Sequence, residues 1–171
     1  GDRALRVAVR TPEENAKLLS AIGSLLGKRG GTKLRVTPAI MLQGTASGVG
    51  KSLLATGLCR VLAQDGIRVA PFKAQNMALN SFVTSDGKEM GRSQVTQAAA
   101  CGLPPDVRMN PLLLKPMGAA GCQVILEGKA IGTRTGSEQH RERQKLESAI
   151  DRRYASLADE FDAIVLEGAG S

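Results

Sequence analysis

Aromatic residues are almost missing from this chain of 171 residues: no Trp, one Tyr and three Phe, 2% in all. Proteins that hold single-stranded nucleic acid stack bases on aromatic rings, so that class is poorly served. Histidine occurs once, at His140, and the three cysteines, Cys59, Cys101 and Cys122, stand far apart. Neither residue type supplies a pair at the spacing of a zinc site. Cys59 falls in an amphipathic segment and is expected to be a buried thiol. No apolar run approaches the roughly 20 residues that span a bilayer, and Gly1-Asp2-Arg3 leads into no signal-peptide-like stretch. A cytoplasmic location without a membrane partner is the expectation, and there a disulfide would be out of place.

The net charge of +7 would suit a nucleic-acid partner, but its distribution does not. Residues 1–38 hold eight Lys/Arg against three Asp/Glu, while residues 39–171 hold fifteen against thirteen. The basicity therefore belongs to the N-terminal segment, which reads as a solvated basic stretch and not as a nucleic-acid surface.

Glycine, by contrast, is plentiful, and its most informative placement is Gly44-Thr45-Ala46-Ser47-Gly48-Val49-Gly50-Lys51-Ser52. The apolar run Ala39-Ile40-Met41-Leu42 precedes it, and residues 53–63 continue as an amphipathic helix. A strand, a glycine-rich loop, Gly-Lys-Ser and a helix form the setting of a phosphate-binding loop. Glycines let successive backbone N–H groups curl around an anion. The helix start adds unpaired N–H groups and the positive end of its dipole. Lys51 would face the β- and γ-phosphates and the Ser52 hydroxyl a Mg²⁺ ion. Five residues separate Gly44 from Gly50, one more than in the common pattern, so context carries the assignment; the plainer reading is a glycine-rich turn with an incidental lysine.

The rest of the chain alternates strands and helices. Residues 5–9 read as a strand. Thr11-Pro12-Glu13-Glu14 reads as a capped helix start, with Leu18, Leu19, Ile22, Leu25 and Leu26 on one face. A basic linker then runs to Lys33. Strands are expected at 39–43, 68–73, 112–114 and 163–166, a hairpin around Glu127-Gly128, and helices at 51–64, 93–101 and 138–160. Glu167 closes the last strand ahead of glycines. An acid at the carboxyl edge of a strand is where a nucleotide site places its second Mg²⁺ ligand, although a lone acid there is more often merely solvated. These patterns give an α/β fold, divided into a strand–helix extension with linker (1–33) and a partial nucleotide domain (34–171).

The runs QGTASGVGKS, RVAPFKAQNMALNSFVTSDGKEMGRSQ, MNPLLLKPMG and VLEGAGS resemble the N-terminal domain of the cobyric acid synthases, from about Pro38 to Ser171. Those enzymes stand in the dethiobiotin-synthetase-like group of P-loop proteins, whose own loop pattern carries the extra residue. The resemblance implies a P-loop NTPase-like parallel sheet flanked by helices, incomplete at the C-terminus. It also implies ATP-driven, glutamine-dependent amidation of peripheral carboxylates on adenosylcobyrinic acid a,c-diamide. The partners implied are ATP, Mg²⁺, the corrinoid and a glutaminase domain elsewhere in the full-length protein; none of the three cysteines has the setting of a glutaminase nucleophile.

Transferred position by position, the resemblance assigns Gly44, Thr45, Ser47, Gly48, Val49, Gly50, Lys51 and Ser52 to the nucleotide, and Ser52 and Glu167 to Mg²⁺. Lys51 and Lys73 become catalytic candidates. Gln75, Asn76, Asn80 and Lys115 become substrate contacts, with plain loop structure or solvent exposure as the alternative. Gln94 falls where dethiobiotin synthetases carry a metal-binding Asp, and a neutral amide is the weaker ligand. Cobyrinate a,c-diamide synthase and dethiobiotin synthetase are neighbouring possibilities. A partitioning-type ATPase switch is a more distant one, lacking the Gln75-Asn76-Met77 run, and a non-catalytic fusion fragment is a further one. The stretch RVAVRTPEENAKLL resembles the C-terminal tail of PLP-dependent aminotransferase-like proteins, including threonine-phosphate decarboxylases. It implies a fusion junction without a PLP lysine. Isolated, such a partial domain is expected to bind phosphate weakly and turn over poorly.

Overall fold

The computed structural model describes residues 4–7, 17, 37–118 and 121–169. The capped helix expected from Thr11 and the linker to Lys33 lie outside the described residues. Two sheets organise the rest. The first is wholly parallel, in the order β1 (Ala4–Val7), β2 (Ala39–Leu42), β10 (Ala163–Glu167), β3 (Val69–Phe72). The second, in the order β4 (Gln75–Met77), β7 (Leu112–Pro116), β8 (Cys122–Leu126), β9 (Lys129–Arg134), is parallel at its first pair and antiparallel after it. A small antiparallel hairpin joins β5 (Ser81–Val83) to β6 (Glu89–Gly91). The helices are α1 (Lys51–Gln64), α2 (Arg92–Ala100) and α3 (Gly136–Glu160), with a 3₁₀ turn at Val107–Met109.

The parallel sheet is apolar on both faces, as a sheet covered on both sides must be. Along β10, Ala163 and Val165 join the cluster of Ile40, Leu42, Leu58, Cys59 and Leu62, which is the α1 face. Ile164 points the other way, into Ala70, Phe72, Met109 and Leu157 on the α3 face. A third cluster, Leu112, Leu114, Val124 and Leu146, packs the second sheet against α3. Among the described residues no helix is long and apolar enough to cross a membrane.

Several elements depart from the sequence expectation at their ends or in kind. The long helix begins at Gly136, two residues early, because Glu138 accepts from the Thr135 backbone N–H at 2.8 Å and closes a capping box there. The hairpin strand after Gly128 runs to Arg134, beyond Ile131. The polar stretch after Lys73, where no strand is expected, contains β4, and β5 follows it: Gln75–Met77 borrows its ladder from Leu112–Leu114, 37 residues downstream in register. Such pairing has no local signature. In the N-terminal segment, Ala4–Val7 pairs in parallel with Ala39–Leu42 at the edge of the first sheet.

Candidate functional site

The register of the parallel sheet decides what meets at its carboxyl end. Glu167 lies opposite Leu42, two residues before Gly44, while Leu166 lies opposite Phe72, the residue before Lys73. With β10 between β2 and β3, Glu167 is flanked by the glycine loop on one side and Lys73 on the other. The carboxyl ends of parallel strands are where open α/β sheets place ligands.

The loop has the backbone that its sequence predicts. Gly48 and Gly50 take φ of 77° and 96°, the left-handed region that glycine enters without a Cβ clash. At Gly44 the requirement is space: a Cβ there would stand 2.7 Å from Val49 Cγ2 and 3.0 Å from the Lys51 stem. Lys51 lies back over the loop, 7% exposed, and donates from Nζ to the Ala46 carbonyl at 2.7 Å. Gly50 caps α1 without a side-chain hydrogen bond, and the first turn carries no acid. Among the described residues no side chain caps the leading N–H groups of α1, and uncapped N–H groups of this kind are what an anion site uses. Thr45, Ser47 and Val49 are exposed on the rim.

Glu167 is 4% exposed and is the hub of the site. Its Oε1 accepts from Ser52 Oγ at 2.8 Å and from Lys73 Nζ at 2.7 Å. Its Oε2 accepts from Gln97 Nε2 at 2.7 Å and, more distantly, from Gln94 Nε2 at 3.4 Å. The structure thus brings Ser52, Lys73, Gln94 and Glu167 together. Gln97, which sequence reasoning missed, completes the group. The Gln94–Gln97 spacing puts both amides on one face of α2, and both are buried, at 0% and 1%.

A polar seam supports the hub from below. Asn110 donates from Nδ2 to the carbonyls of Lys73 and Leu112, and its Oδ1 accepts from the Gly91 N–H at 2.9 Å. Gly91 is needed here for close approach. A Cβ would stand 2.3 Å from Asn76 Nδ2, 2.8 Å from Gln94 Oε1 and 2.9 Å from Asn110 Oδ1. Asn76 is therefore buried beside the seam, Gln75 is half-buried on β4, and Asn80 is exposed. Lys115 is not drawn to Glu167. Its ammonium pairs with Glu89, which also accepts from Ser81, and together they hold the Glu89 carboxyl below the usual range against its partial burial.

The donor set suits a hard divalent cation. Among the described residues no three His, Cys, Asp or Glu cluster as a metal cage. A magnesium site instead takes one or two protein oxygens and completes its shell with phosphates and water. Ser52 Oγ and Glu167 Oε1 are oxygens that could serve in this way, and Gln94 Oε1 is a buried oxygen with no hydrogen-bond partner among the described residues. Cys59 and Cys101, distant in sequence, are neighbours where α1 meets α2. The Cys101 thiol and burial push Cys59 far above the ordinary thiol range, so it behaves as an inert core residue.

The family described as the CobQ/CobB/MinD/ParA nucleotide binding domain matches residues 40–166. A relative named adenosylcobalamin biosynthesis bifunctional protein CobDQ, from Leptospira interrogans, is 51% identical over 98% of this chain and 20% of its own length. Two proteins named cobyric acid synthase match less of this chain at higher identity. That of Ruminiclostridium cellulolyticum is 61% identical over 77% of the chain and 26% of its own length. That of Salmonella gallinarum is 60% identical over 80% and 27%. The chain thus spans between a fifth and just over a quarter of the curated relatives it matches.

Proposed function

Since this chain belongs to the CobQ/CobB/MinD/ParA nucleotide-binding domain family, we propose that it is the ATP-handling part of a cobyric-acid-synthase-type ligase in cobalamin biosynthesis. The substrate class is a corrinoid bearing peripheral carboxylates, with ammonia drawn from glutamine by a further domain of the longer protein. The observation that carries the reading is the meeting of Ser52, Lys73 and Glu167 beside the glycine loop.

A carboxylate is a poor acyl donor. Attack of its oxygen on the γ-phosphorus of ATP expels ADP and leaves an acyl phosphate. Ammonia then adds to the carbonyl carbon, and phosphate departs with the C–O bonding pair to leave the amide. Little covalent work falls to the protein, so catalysis rests on positioning and charge neutralisation. The loop amides and Lys51 hold the triphosphate. Ser52 and Glu167 would hold Mg²⁺, which supplies charge neutralisation at the phosphates when bound. Lys73, anchored by Glu167, is placed to offset charge on the transferring phosphoryl group. Gln75, Asn76, Asn80 and Lys115 remain candidate corrinoid contacts.

Residues 1–33 are read as the joint of a fused protein, and 34–171 as the nucleotide unit. In support, the bifunctional relative matches 169 residues, and the cobyric acid synthases 132 and 136. The test is amide formation by the full-length protein, followed with ¹⁵N-labelled glutamine and a corrinoid a,c-diamide. ATP-dependent incorporation of ¹⁵N into the corrinoid is expected; ATP turnover without incorporation would overturn the ligase assignment.

A further inference from the structure

Carboxylates that hold a cation work only if their orientation is fixed, and Glu167 carries an anchor on the side away from Ser52. Its two oxygens are treated differently. Oε1 faces the hydroxyl and the ammonium, while Oε2, among the described residues, faces the amides of Gln97 and Gln94. From the 2.7 Å contact and the 1% exposure of Gln97, we infer that Gln97 is a positioning residue. It pins the distal oxygen of Glu167 so that the proximal oxygen presents its charge to a divalent cation. The inference rests on the reading of Glu167 as the cation-facing carboxylate.

Three features support the role. The donor is neutral, so it fixes Oε2 without adding a second positive charge to the Lys73 ammonium that already pairs with Oε1. The donor is itself oriented: Gln97 Oε1 accepts from Gln94 Nε2 at 3.4 Å, which leaves the Gln97 amide nitrogen for Glu167. And the donor sits on a helix, not a loop. It is flanked by Ala98, which is fully buried in the core under the sheet, so its position is set by packing. Partners of this kind orient metal ligands, and losing one typically weakens metal affinity by about 10–100-fold.

The test uses Mn²⁺ with ATP as the probe, and free Mn²⁺ is read by electron paramagnetic resonance on the full-length protein, unaltered and carrying Gln97→Met. The substitution keeps an unbranched side chain of similar volume and removes the donor. Expected is a loss of Mn²⁺ affinity of about 10–100-fold at saturating ATP, with metal-free ATP affinity unchanged. Equal Mn²⁺ affinity in both chains overturns the role of Gln97 and leaves the function proposed above standing. No Mn²⁺·ATP binding by the unaltered full-length protein overturns both. Should Gln97→Met fail to fold by circular dichroism, NMR of the unaltered chain decides. The Gln97 side-chain amide signal is expected to shift on addition of Mg²⁺·ATP, and a signal that stays fixed while loop residues respond overturns the role.

Discussion

The Lys73 ammonium and the Glu167 carboxylate meet at 2.7 Å across 94 residues of sequence, with 12% and 2% of their side chains exposed. Removing one member of a buried pair leaves the other charge without its main counterion, at a cost of about 3–5 kcal/mol. Lys73→Met is therefore expected to lower the urea midpoint markedly. The double variant Lys73→Met, Glu167→Met is expected to recover much of the loss, because no uncompensated charge remains. Equilibrium urea melts of the two variants check this, and a Lys73→Met midpoint equal to that of the unaltered chain would show the pair to be energetically idle.

The loop prediction separates charge from shape. Lys51 lies over the loop with its stem against Gly44, so Lys51→Met keeps most of the packing and deletes the ammonium. ATP affinity by calorimetry is expected to fall at least tenfold, the scale of one lost charge-assisted contact of about 1.5–3 kcal/mol. An unchanged affinity would remove Lys51 from phosphate binding.

Glu167→Gln asks a different question of the same site. The amide retains an oxygen toward Ser52 and roughly the same volume but leaves the Lys73 ammonium without its counterion. Stability is therefore expected to fall as in Lys73→Met, and binding is read where the variant is still folded. The Mg²⁺ dependence of ATP binding should weaken, while metal-free binding stays as it was. Identical Mg²⁺ dependence would place the cation elsewhere.

How legible was this site in the sequence? The glycine loop, Ser52 and Glu167 stand out because each occupies a strand end or a helix start, positions that local pattern reveals, whereas Lys73 is marked only by the family resemblance. The parallel register then brought them together. Gln97 did not stand out. In the helix Arg92–Ala100 the buried face is made of Gln94, Gln97 and Ala98, so no apolar stripe marks it as a packed face. The signal that was available is the Gln-x-x-Gln spacing itself, which stacks two amides on one side of a helix. The strands of the second sheet were partly hidden for another reason. Elements of three residues, such as Gln75–Met77 and Ser81–Val83, are specified by distant partners more than by their own residues.

The seam beneath the hub yields a prediction at a glycine. Gly91 has an extended backbone that any residue adopts, so a substitution there is limited by space alone. The new methyl of Gly91→Ala would stand 2.3 Å from Asn76 Nδ2, and Asn76, Gln94 and Asn110 are all buried. Overpacking of this kind costs about 1–3 kcal/mol. A lowered melting temperature is expected together with weakened cation binding, because the shifted amide is Gln94, a neighbour of Glu167. Loss of stability with cation affinity intact would uncouple the seam from the site.

Acid sensitivity is expected from the far hairpin. Glu127 sits at its turn with a φ of 50°, and its carboxylate pairs with Arg153 of α3. The Arg153 guanidinium holds the carboxyl below its usual 4.5 against partial burial, with Arg152 and Lys88 adding to the effect. A carboxyl whose folded value lies below its unfolded value binds protons more tightly in the unfolded chain, so stability rises with pH across that interval. The contribution is therefore complete above the unfolded value of 4.5 and is lost as pH falls through the lowered folded value. In Glu127→Gln the contribution is absent at every pH. Urea melts should thus show a gap between the two chains that is constant near neutral pH and closes as pH drops below 4.5. A gap that stays constant into acid would mean that Arg153 and Glu127 hold the hairpin by packing and not by charge.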